Sequence, residues 1–186
     1  PVNLNALLQD VVKQNQEAAR WAGVELRLRP CRHWVNVNPG LLTTMVQNLL
    51  SNALKYAAGQ PVLIGVRRRG TGLAIVLYDK GRGIAREHLP EVFKEFYRVR
   101  HERDKDVEGL GLGLSIVRRL GQLPDLQVRL DSRVDHGTSA TIHALNVIAA
   151  RPAVARPAPL PSRLHGPRVG PGAGHPRLPL APSAPR

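Results

Sequence analysis

One stretch restricts the fold of this 186-residue chain more than any other: an amphipathic helix predicted to begin at Pro39. Its apolar residues recur at spacings of three and four, which is typical of a helix with one buried face. These residues are Leu41, Leu42, Met45, Val46, Leu49, Leu50, Ala53 and Leu54. Asn48, Asn52 and Lys55 follow one another at i, i+4 and i+7 on the opposite stripe. Such a row can hold a metal through amide oxygens and a phosphate through charge, although a solvated helix face has the same pattern.

The positive charge of the chain is concentrated near its C-terminal end. The net charge is +13, and residues 151–186 supply six arginines without any Asp or Glu. The same segment holds ten of the sixteen prolines and no apolar periodicity. We therefore predict a domain over residues 1–148 and a disordered, Pro/Arg/Ala-rich tail over residues 149–186. Because the tail has no aromatic residue to stack on bases, we expect no nucleic-acid partner and favour a linker or a non-native readthrough segment.

Other global features limit the class of protein. A single cysteine, Cys31, excludes a disulfide within the chain and suits a reducing compartment. No apolar run reaches the roughly 18 residues that a membrane-spanning helix needs, and the N-terminus does not resemble a signal peptide. Because the chain begins with Pro1 rather than Met, we expect it to be an excerpt of a longer protein.

Strands and helices are predicted to follow one another without strict alternation, which favours an α+β fold over a doubly wound sheet. Helices are predicted over residues 4–21 and 115–121, a short helical piece over 88–97, and strands over 24–28, 34–37, 62–67, 73–78, 126–130 and 139–144. The strands over 62–67 and 73–78 form a predicted hairpin, since two glycines lie between them. The charged segment from Arg98 to Glu108 is predicted to be a mobile loop.

Two glycine-rich loops carry the remaining chemical signals. Asp79 ends a predicted strand and is followed by Gly81 and Gly83, which let the backbone approach a flat ligand. Its carboxylate can accept a hydrogen bond from an exocyclic amine, as adenine recognition requires. An ordinary glycine-rich turn has the same pattern.

The second loop, Gly109-Leu110-Gly111-Leu112-Gly113-Leu114, directly precedes a predicted helix. Backbone N–H groups at the N-terminus of a helix can face a phosphate, whereas a flexible hinge is the alternative interpretation. The spacing fits neither a Walker-type phosphate loop nor a dinucleotide-binding fingerprint. Another nucleotide-binding architecture is therefore required.

Taken in order, these segments resemble the ATP-binding catalytic domain of bacterial sensor histidine kinases. Asn48-x-x-x-Asn52-x-x-Lys55-Tyr56 matches the N box of that family, and Asp79-x-Gly81-x-Gly83-Ile84 matches its G1 box. Phe93-x-x-Phe96-Tyr97-Arg98 resembles the F box, and residues 109–114 resemble the G2 box. Gly137-Thr138 resembles the small third glycine motif, so the resemblance covers roughly residues 3 to 145.

The resemblance implies the Bergerat ATP-binding fold, which is shared with gyrase-type and heat-shock-type ATPases. This fold is an α+β two-layer sandwich, in which three helices cover a mixed, mostly antiparallel sheet. ATP would lie between the helix that carries the N box and the segment from Arg98 to Glu108, called the ATP lid.

The resemblance also implies roles for individual residues. Asn48 and Asn52 would hold Mg²⁺ beside the phosphates of ATP, and Lys55 would pair with phosphate oxygens. Asp79 would accept the N6 amine of adenine, and Arg98 would reach the γ-phosphate. The other implied nucleotide contacts are Tyr56, Gly81, Gly83, Ile84, Phe96, Gly109, Leu110, Gly111, Leu112, Gly113, Leu114 and Thr138.

The implied reaction is phosphoryl transfer to histidine rather than hydrolysis. Hydrolytic members of the superfamily place a glutamate base where this chain has Asn48, which cannot take a proton at neutral pH. Catalysis would then rest on positioning and charge neutralisation by Mg²⁺, Lys55 and Arg98. None of the seven histidines shows the family's phosphoacceptor pattern upstream of the N box. We therefore expect the phosphoacceptor and dimerisation helices on a segment that is missing here.

The resemblance implies two partners, the phosphoacceptor/dimerisation domain of the same kinase and a downstream response regulator. It also implies a cytoplasmic location, with tethering to the inner membrane through missing upstream segments as the other possibility. Two alternative functions remain: a nucleotide-sensing module without transfer activity, and an anti-sigma-type serine kinase of the same fold.

Overall fold

The computed structural model describes residues 1–57, 59–99, 110–144 and 146–148, which form four helices and eight strands. The helices are α1 (Leu4–Gln14), α2 (Gln16–Trp21), α3 (Pro39–Tyr56) and α4 (Gly113–Leu120). The strands are β1 (Val2–Asn3), β2 (Leu26–Leu28), β3 (Trp34–Val35), β4 (Val62–Arg69), β5 (Gly72–Asp79), β6 (Leu126–Arg133), β7 (Gly137–Ala144) and β8 (Val147–Ile148). Within these ranges, no helix is both long and apolar enough to cross a bilayer.

The main sheet has five strands in the order β2-β4-β5-β7-β6. β2 runs parallel to β4, and all the other pairings in this sheet are antiparallel. A small antiparallel sheet joins β1, β3 and β8. Helix α3 contacts α1, α4 and the main sheet, and α1 and α4 also contact this sheet. The hydrophobic core lies between the helices and the sheet. The predicted α+β fold with a mixed, mostly antiparallel sheet is confirmed.

Helix α3 begins where the sequence predicts. The Asn38 side chain accepts a hydrogen bond from the Leu41 N–H at 3.2 Å, and Pro39 occupies the first turn. The apolar stripe faces the core, and Leu42, Met45 and Leu50 are completely buried. Because this face is fixed against the core, the orientation of the opposite, polar stripe is fixed as well.

The sequence pattern predicts one continuous first helix. In the structure this helix is divided at Asn15 into α1 and α2. Asn15 leaves helical geometry, with φ −101° and ψ 3°, and its Nδ2 donates to the Val11 carbonyl at 2.8 Å. A short amide side chain that bonds the backbone in this way competes with the helical ladder. Residues 13–17 are all polar, as an exposed turn of a continuous helix can also be, so the sequence does not reveal the break.

The short helical piece predicted over residues 88–97 is a series of turns. The Val92 N–H still reaches the His88 carbonyl at 2.9 Å, but Pro90 has no N–H to continue a ladder. Phe96 has a φ of 62°, which no helical residue adopts. The side chains of His88 and Tyr97 close the segment through an Nδ1···OH contact of 2.7 Å.

β6 and β7 are longer than predicted. The sequence does not predict the added residues as strand, because they break the apolar alternation. Pairing continues through Ser132↔Thr138 and Arg133↔Gly137, up to the turn that joins the two strands. Gly137 has a φ of +92°, and a Cβ at this position would lie 1.9 Å from the Asp79 carbonyl oxygen. The turn therefore packs against the end of β5 through a position that only glycine can fill.

We expect Gly137→Ala to lower the free energy of unfolding by about 3–5 kcal/mol, since positive φ and a backbone clash act together. Gly70→Ala is the matched control, because Gly70 has a φ of +55° but nothing within 4 Å of an added Cβ. The control should cost only about 1 kcal/mol. Urea denaturation measures both losses, and equal losses would contradict the packing described for Gly137.

Candidate nucleotide-binding site

A cavity of about 290 Å³ lies beside the polar stripe of α3. Its wall is completed by the end of β5 and the loop after it, by β6 and β7, and by the segments on either side of residues 100–109. The predicted site residues that line it are Asn48, Asn52, Lys55, Tyr56, Asp79, Gly83, Ile84, Arg98, Leu110, Gly111, Leu112, Gly113, Leu114 and Thr138. The fold therefore brings residues from all the motifs to one cavity.

Three predicted contacts are not among the residues that line the cavity. Gly81 lies against α3, where an added Cβ would be 2.0 Å from the Tyr56 carbonyl oxygen, so its role here is to let the loop approach the helix. The side chain of Phe96 is turned outward and is 69% exposed. Gly109, like the lid residues from position 100 to 108, lies outside the described residues.

The side chain of Asn48 is oriented by its own helix. Its Nδ2 donates to the Thr44 carbonyl at 2.8 Å, which leaves Oδ1 as the free end of the amide. Oδ1 lies 3.0 Å from the point that a Cβ on Gly113 would occupy. An amide oxygen is thus presented beside a position with no side chain, where an oxygen-binding cation such as Mg²⁺ fits the donor chemistry.

The glycine loop connects the segment around Phe96 to α4. Gly111 has a φ of +72°, and its carbonyl accepts a hydrogen bond from the Phe96 N–H at 3.1 Å. Within the described part of the chain, no side chain caps the N-terminus of α4, which begins at Gly113 on the cavity wall. The N–H groups of its first turn are therefore available to an anion.

Asp79 is the buried acid of the cavity, with only 7% of its surface exposed. Its Oδ1 accepts a hydrogen bond from the Gly81 N–H at 2.9 Å, and the backbone N–H of Thr138 donates to the same carboxylate. Burial raises the pKa of Asp79, and these two hydrogen bonds lower it by less. The carboxylate is a partly desolvated acceptor at the end of β5.

The raised pKa predicts how the stability of the unliganded protein depends on pH. The native state holds the proton of Asp79 more tightly than the unfolded chain, whose carboxyl has a pKa of about 3.9. The contribution of Asp79 to stability is therefore greatest below about pH 4 and is lost as pH rises through the native pKa. As the pH rises from about 4 through the native pKa of Asp79, we expect the free energy of unfolding of the wild type to fall relative to that of Asp79→Asn. A difference that is constant with pH would contradict the raised pKa.

Arg82 is a cavity residue that the sequence does not predict. Its guanidinium carbon lies 4.6 Å from the centre of the Tyr56 ring, and both residues line the cavity. A cation over an aromatic face is attracted by the ring quadrupole. Arg82 occupies the variable position between Gly81 and Gly83, and nothing in the motif indicates its contact with a helix 26 positions earlier.

The sequence does not predict the other contacts on the cavity wall, most of which are apolar. The lining residues not predicted as contacts are Leu49, Ser51, Ala53, Leu77, Arg82, Val92, Tyr97, Val99, Leu130 and Ala140. Leu77, Leu130 and Ala140 lie at aligned positions on neighbouring strands. The alternation of buried residues in β5, β6 and β7 could have assigned them to the inner face, but only the register shows that they meet.

Known proteins similar to this chain are histidine kinases. The chain is 34% identical over 143 residues to the sensor-like histidine kinase SenX3 of Mycobacterium tuberculosis, which covers 76% of this chain and 35% of that protein. It is 33% identical over 144 residues to the sensor protein QseC of Salmonella typhi, covering 76% of this chain and 30% of that protein. The chain thus spans about a third of the length of these curated relatives.

Solved structures agree in fold. Full-length ShkA, in complex with AMPPNP, superposes with a TM-score of 0.70 at 26% identity, covering 82% of this chain and 32% of that chain. The mycobacterial sensor histidine kinase MprB superposes with a TM-score of 0.65 at 23% identity, covering 77% of this chain and 94% of that chain. Residues 37–147 match the family described as histidine kinase-, DNA gyrase B- and HSP90-like ATPases. The chain belongs to this ATPase family.

Proposed function

We propose that this chain binds Mg-ATP and transfers the γ-phosphoryl group to a histidine of a phosphoacceptor domain, in two-component signal transduction. The observation that carries the proposal is that two sets of ligand-binding residues line the same cavity. The row Asn48, Asn52 and Lys55 lies on the α3 wall, and the buried Asp79 carboxylate lies at the end of β5. The first set suits a metal and phosphates, and the second suits an exocyclic amine.

ATP is the ligand that uses both sets. The Asp79 carboxylate would accept the N6 amine of adenine, while Gly83, Ile84 and Thr138 line the wall around it. Tyr56 would contact the base or the ribose beneath Arg82. The ATPase family to which the chain belongs and the AMPPNP complex of ShkA support this choice of nucleotide.

The phosphates of ATP would lie between α3 and the glycine loop. Asn48 and Asn52 would hold Mg²⁺ through their amide oxygens, and bound Mg²⁺ would neutralise charge on the transferred phosphoryl group. Lys55 and Arg98 would pair with phosphate oxygens, and the N–H groups at the start of α4 would face the same charge. Leu110 to Leu114 line this side of the cavity. Gly109 precedes them in the sequence and would belong to the same glycine loop.

Transfer to histidine is favoured over hydrolysis because Asn48 cannot act as a general base. An amide has no basic lone pair to take a proton from water, whereas a neutral imidazole attacks phosphorus without a base. The similarity to SenX3 and QseC supports the same choice. The acceptor histidine would come from a phosphoacceptor/dimerisation domain, and the phosphoryl group would pass on to a response regulator.

The limits of the catalytic unit are also part of the proposal. Residues 1–148 would form the catalytic domain. Residues 149–186, predicted from the sequence to be a tail, lie outside the described residues and would have no role in transfer. A kinase of this class consumes ATP in the cytoplasm, either free or tethered to the inner membrane through a segment outside this chain.

Labelled ATP, Mg²⁺ and a phosphoacceptor helical hairpin incubated with the chain would test the proposal. Acid-labile, alkali-stable label on the hairpin is the expected result. Alkali-labile label would indicate a serine kinase of the same fold. ATP binding without any label on the hairpin would indicate a nucleotide-sensing module, and no ATP binding would overturn the proposal altogether.

A further inference from the structure

The hydroxyl group of Ser132 makes three contacts at the edge of the cavity. It accepts a hydrogen bond from the Ile84 N–H at 2.8 Å, and it donates to the Gly137 carbonyl oxygen at 2.9 Å. Its third neighbour is the Thr138 hydroxyl, with an Oγ···Oγ1 distance of 2.8 Å. Thr138 lines the cavity and Ser132 does not, so Ser132 lies directly behind the wall.

These three contacts fix the direction of the proton between the two hydroxyl groups. A serine hydroxyl has one proton to donate and two lone pairs to accept with. The Gly137 carbonyl can only accept, so it takes the single proton of Ser132. The Ile84 N–H can only donate, so it uses one lone pair. The remaining lone pair of Ser132 must therefore receive the proton of Thr138.

The outcome for Thr138 is that its own proton points away from the cavity. Its hydroxyl can present only lone pairs to a ligand, as the nearby carboxylate of Asp79 does. The backbone N–H of Thr138 donates to that carboxylate, so the two acceptors are held in one arrangement. The φ of Gly137 and its close approach to Asp79 keep the carbonyl that orients Ser132 in place.

We propose that Ser132 is a positioning residue for base selection, because it orients the Thr138 hydroxyl as a second acceptor for the 6-amino group of adenine. This inference rests on the proposed function, since it assumes that ATP occupies the cavity. The amine has two hydrogens, and Asp79 and Thr138 offer it two acceptors, either directly or through one water. A purine without this amine would leave the lone pairs of Thr138 unpaired.

The test compares ATP with purine riboside triphosphate, which differs from ATP only in lacking the 6-amino group. Calorimetry with Mg²⁺ would give the preference for ATP over this analogue. In Ser132→Ala, the Thr138 proton is free to turn toward the ligand, so we expect this preference to fall roughly threefold to tenfold. Ser132→Thr keeps a hydroxyl and should restore it.

Ser115→Ala is the matched control, because the Ser115 hydroxyl donates to the Leu112 carbonyl at 2.7 Å and is held away from Ser132 on α4. A merely structural loosening lowers the affinity for both nucleotides alike, so the control should leave the preference unchanged. An unchanged preference in Ser132→Ala would overturn the inference, even if both affinities fall.

Thr138→Val is a second, isosteric variant that keeps the test valid if Ser132→Ala does not fold. It should lower the preference to the same extent, and adding Ser132→Ala to it should lower the preference no further. An unchanged preference in Thr138→Val would overturn the inference. Failure of the wild type to bind ATP would overturn the proposed function. If the wild type binds ATP and the variants keep its preference, only the inference about Ser132 is overturned.

Discussion

Asn52→Ala should reduce Mg²⁺-dependent phosphoryl transfer by about 100-fold or more, with little effect on stability. The side chain lies on the cavity wall, one helical turn beyond Asn48 and one before Tyr56. In the proposed site both amides would be needed, because Mg²⁺ prefers oxygen ligands in a strict geometry and would lose affinity when one is removed. Without the ion, only Lys55, Arg98 and the N–H groups at the start of α4 would neutralise charge on the transferred phosphoryl group.

Gln47→Ala is the control for Asn52→Ala, since it removes an amide from the same helix. Gln47 donates to Gln14 at 2.8 Å and is not among the residues that line the nucleotide cavity. We expect this variant to label the phosphoacceptor hairpin at close to the wild-type rate. If Asn52→Ala also retained full labelling, Asn52 would not be a ligand of the metal.

Asp79→Asn should have the second large effect, a loss of ATP affinity of roughly 10- to 100-fold. In the wild type, the carboxylate accepts from the N–H groups of Gly81 and Thr138 and has lone pairs left for the adenine amine. An asparagine replaces one of the two oxygens by an NH₂ group. That group would face a donor, either a backbone N–H or the adenine amine.

The affinity of the wild type for ATP should also depend on pH in a direction set by Asp79. Because burial raises the pKa of this carboxyl, protonation begins at a higher pH than for an exposed aspartate. The amine binds the ionised form better, so the affinity should fall as pH falls through the raised pKa. Calorimetry on the wild type and Asp79→Asn would measure this, and the variant should lack this step.

Asp131→Asn is the matched control, because Asp131 is exposed and pairs with Arg129 on the same strand. It should bind ATP like the wild type at every pH. If Asp79→Asn bound ATP as tightly as the wild type did, the adenine amine would not be recognised by this carboxylate.

How far the site can be predicted depends on how local each signal is. Asn48, Asn52 and Lys55 lie on one helix, so the helical period alone places them on one stripe. The glycine motifs were found because glycine is required where the backbone comes close to other atoms, as the approach of Gly81 to Tyr56 illustrates. Phe96 is in a recognisable motif, but its positive φ turns the side chain outward, and the motif does not encode this angle.

The sequence by itself determined the buried face of α3, the strands of the main sheet and the residue types of the nucleotide site, because these depend on periodicity and on short spacings. Only the tertiary structure decided which distant side chains touch: Arg82 over Tyr56, and Ser132 behind Thr138. Those contacts follow from strand register and from the close approach of Gly83 to the Arg133 carbonyl. Neither contact produces a periodic pattern in the sequence, because each joins residues that only the fold brings together.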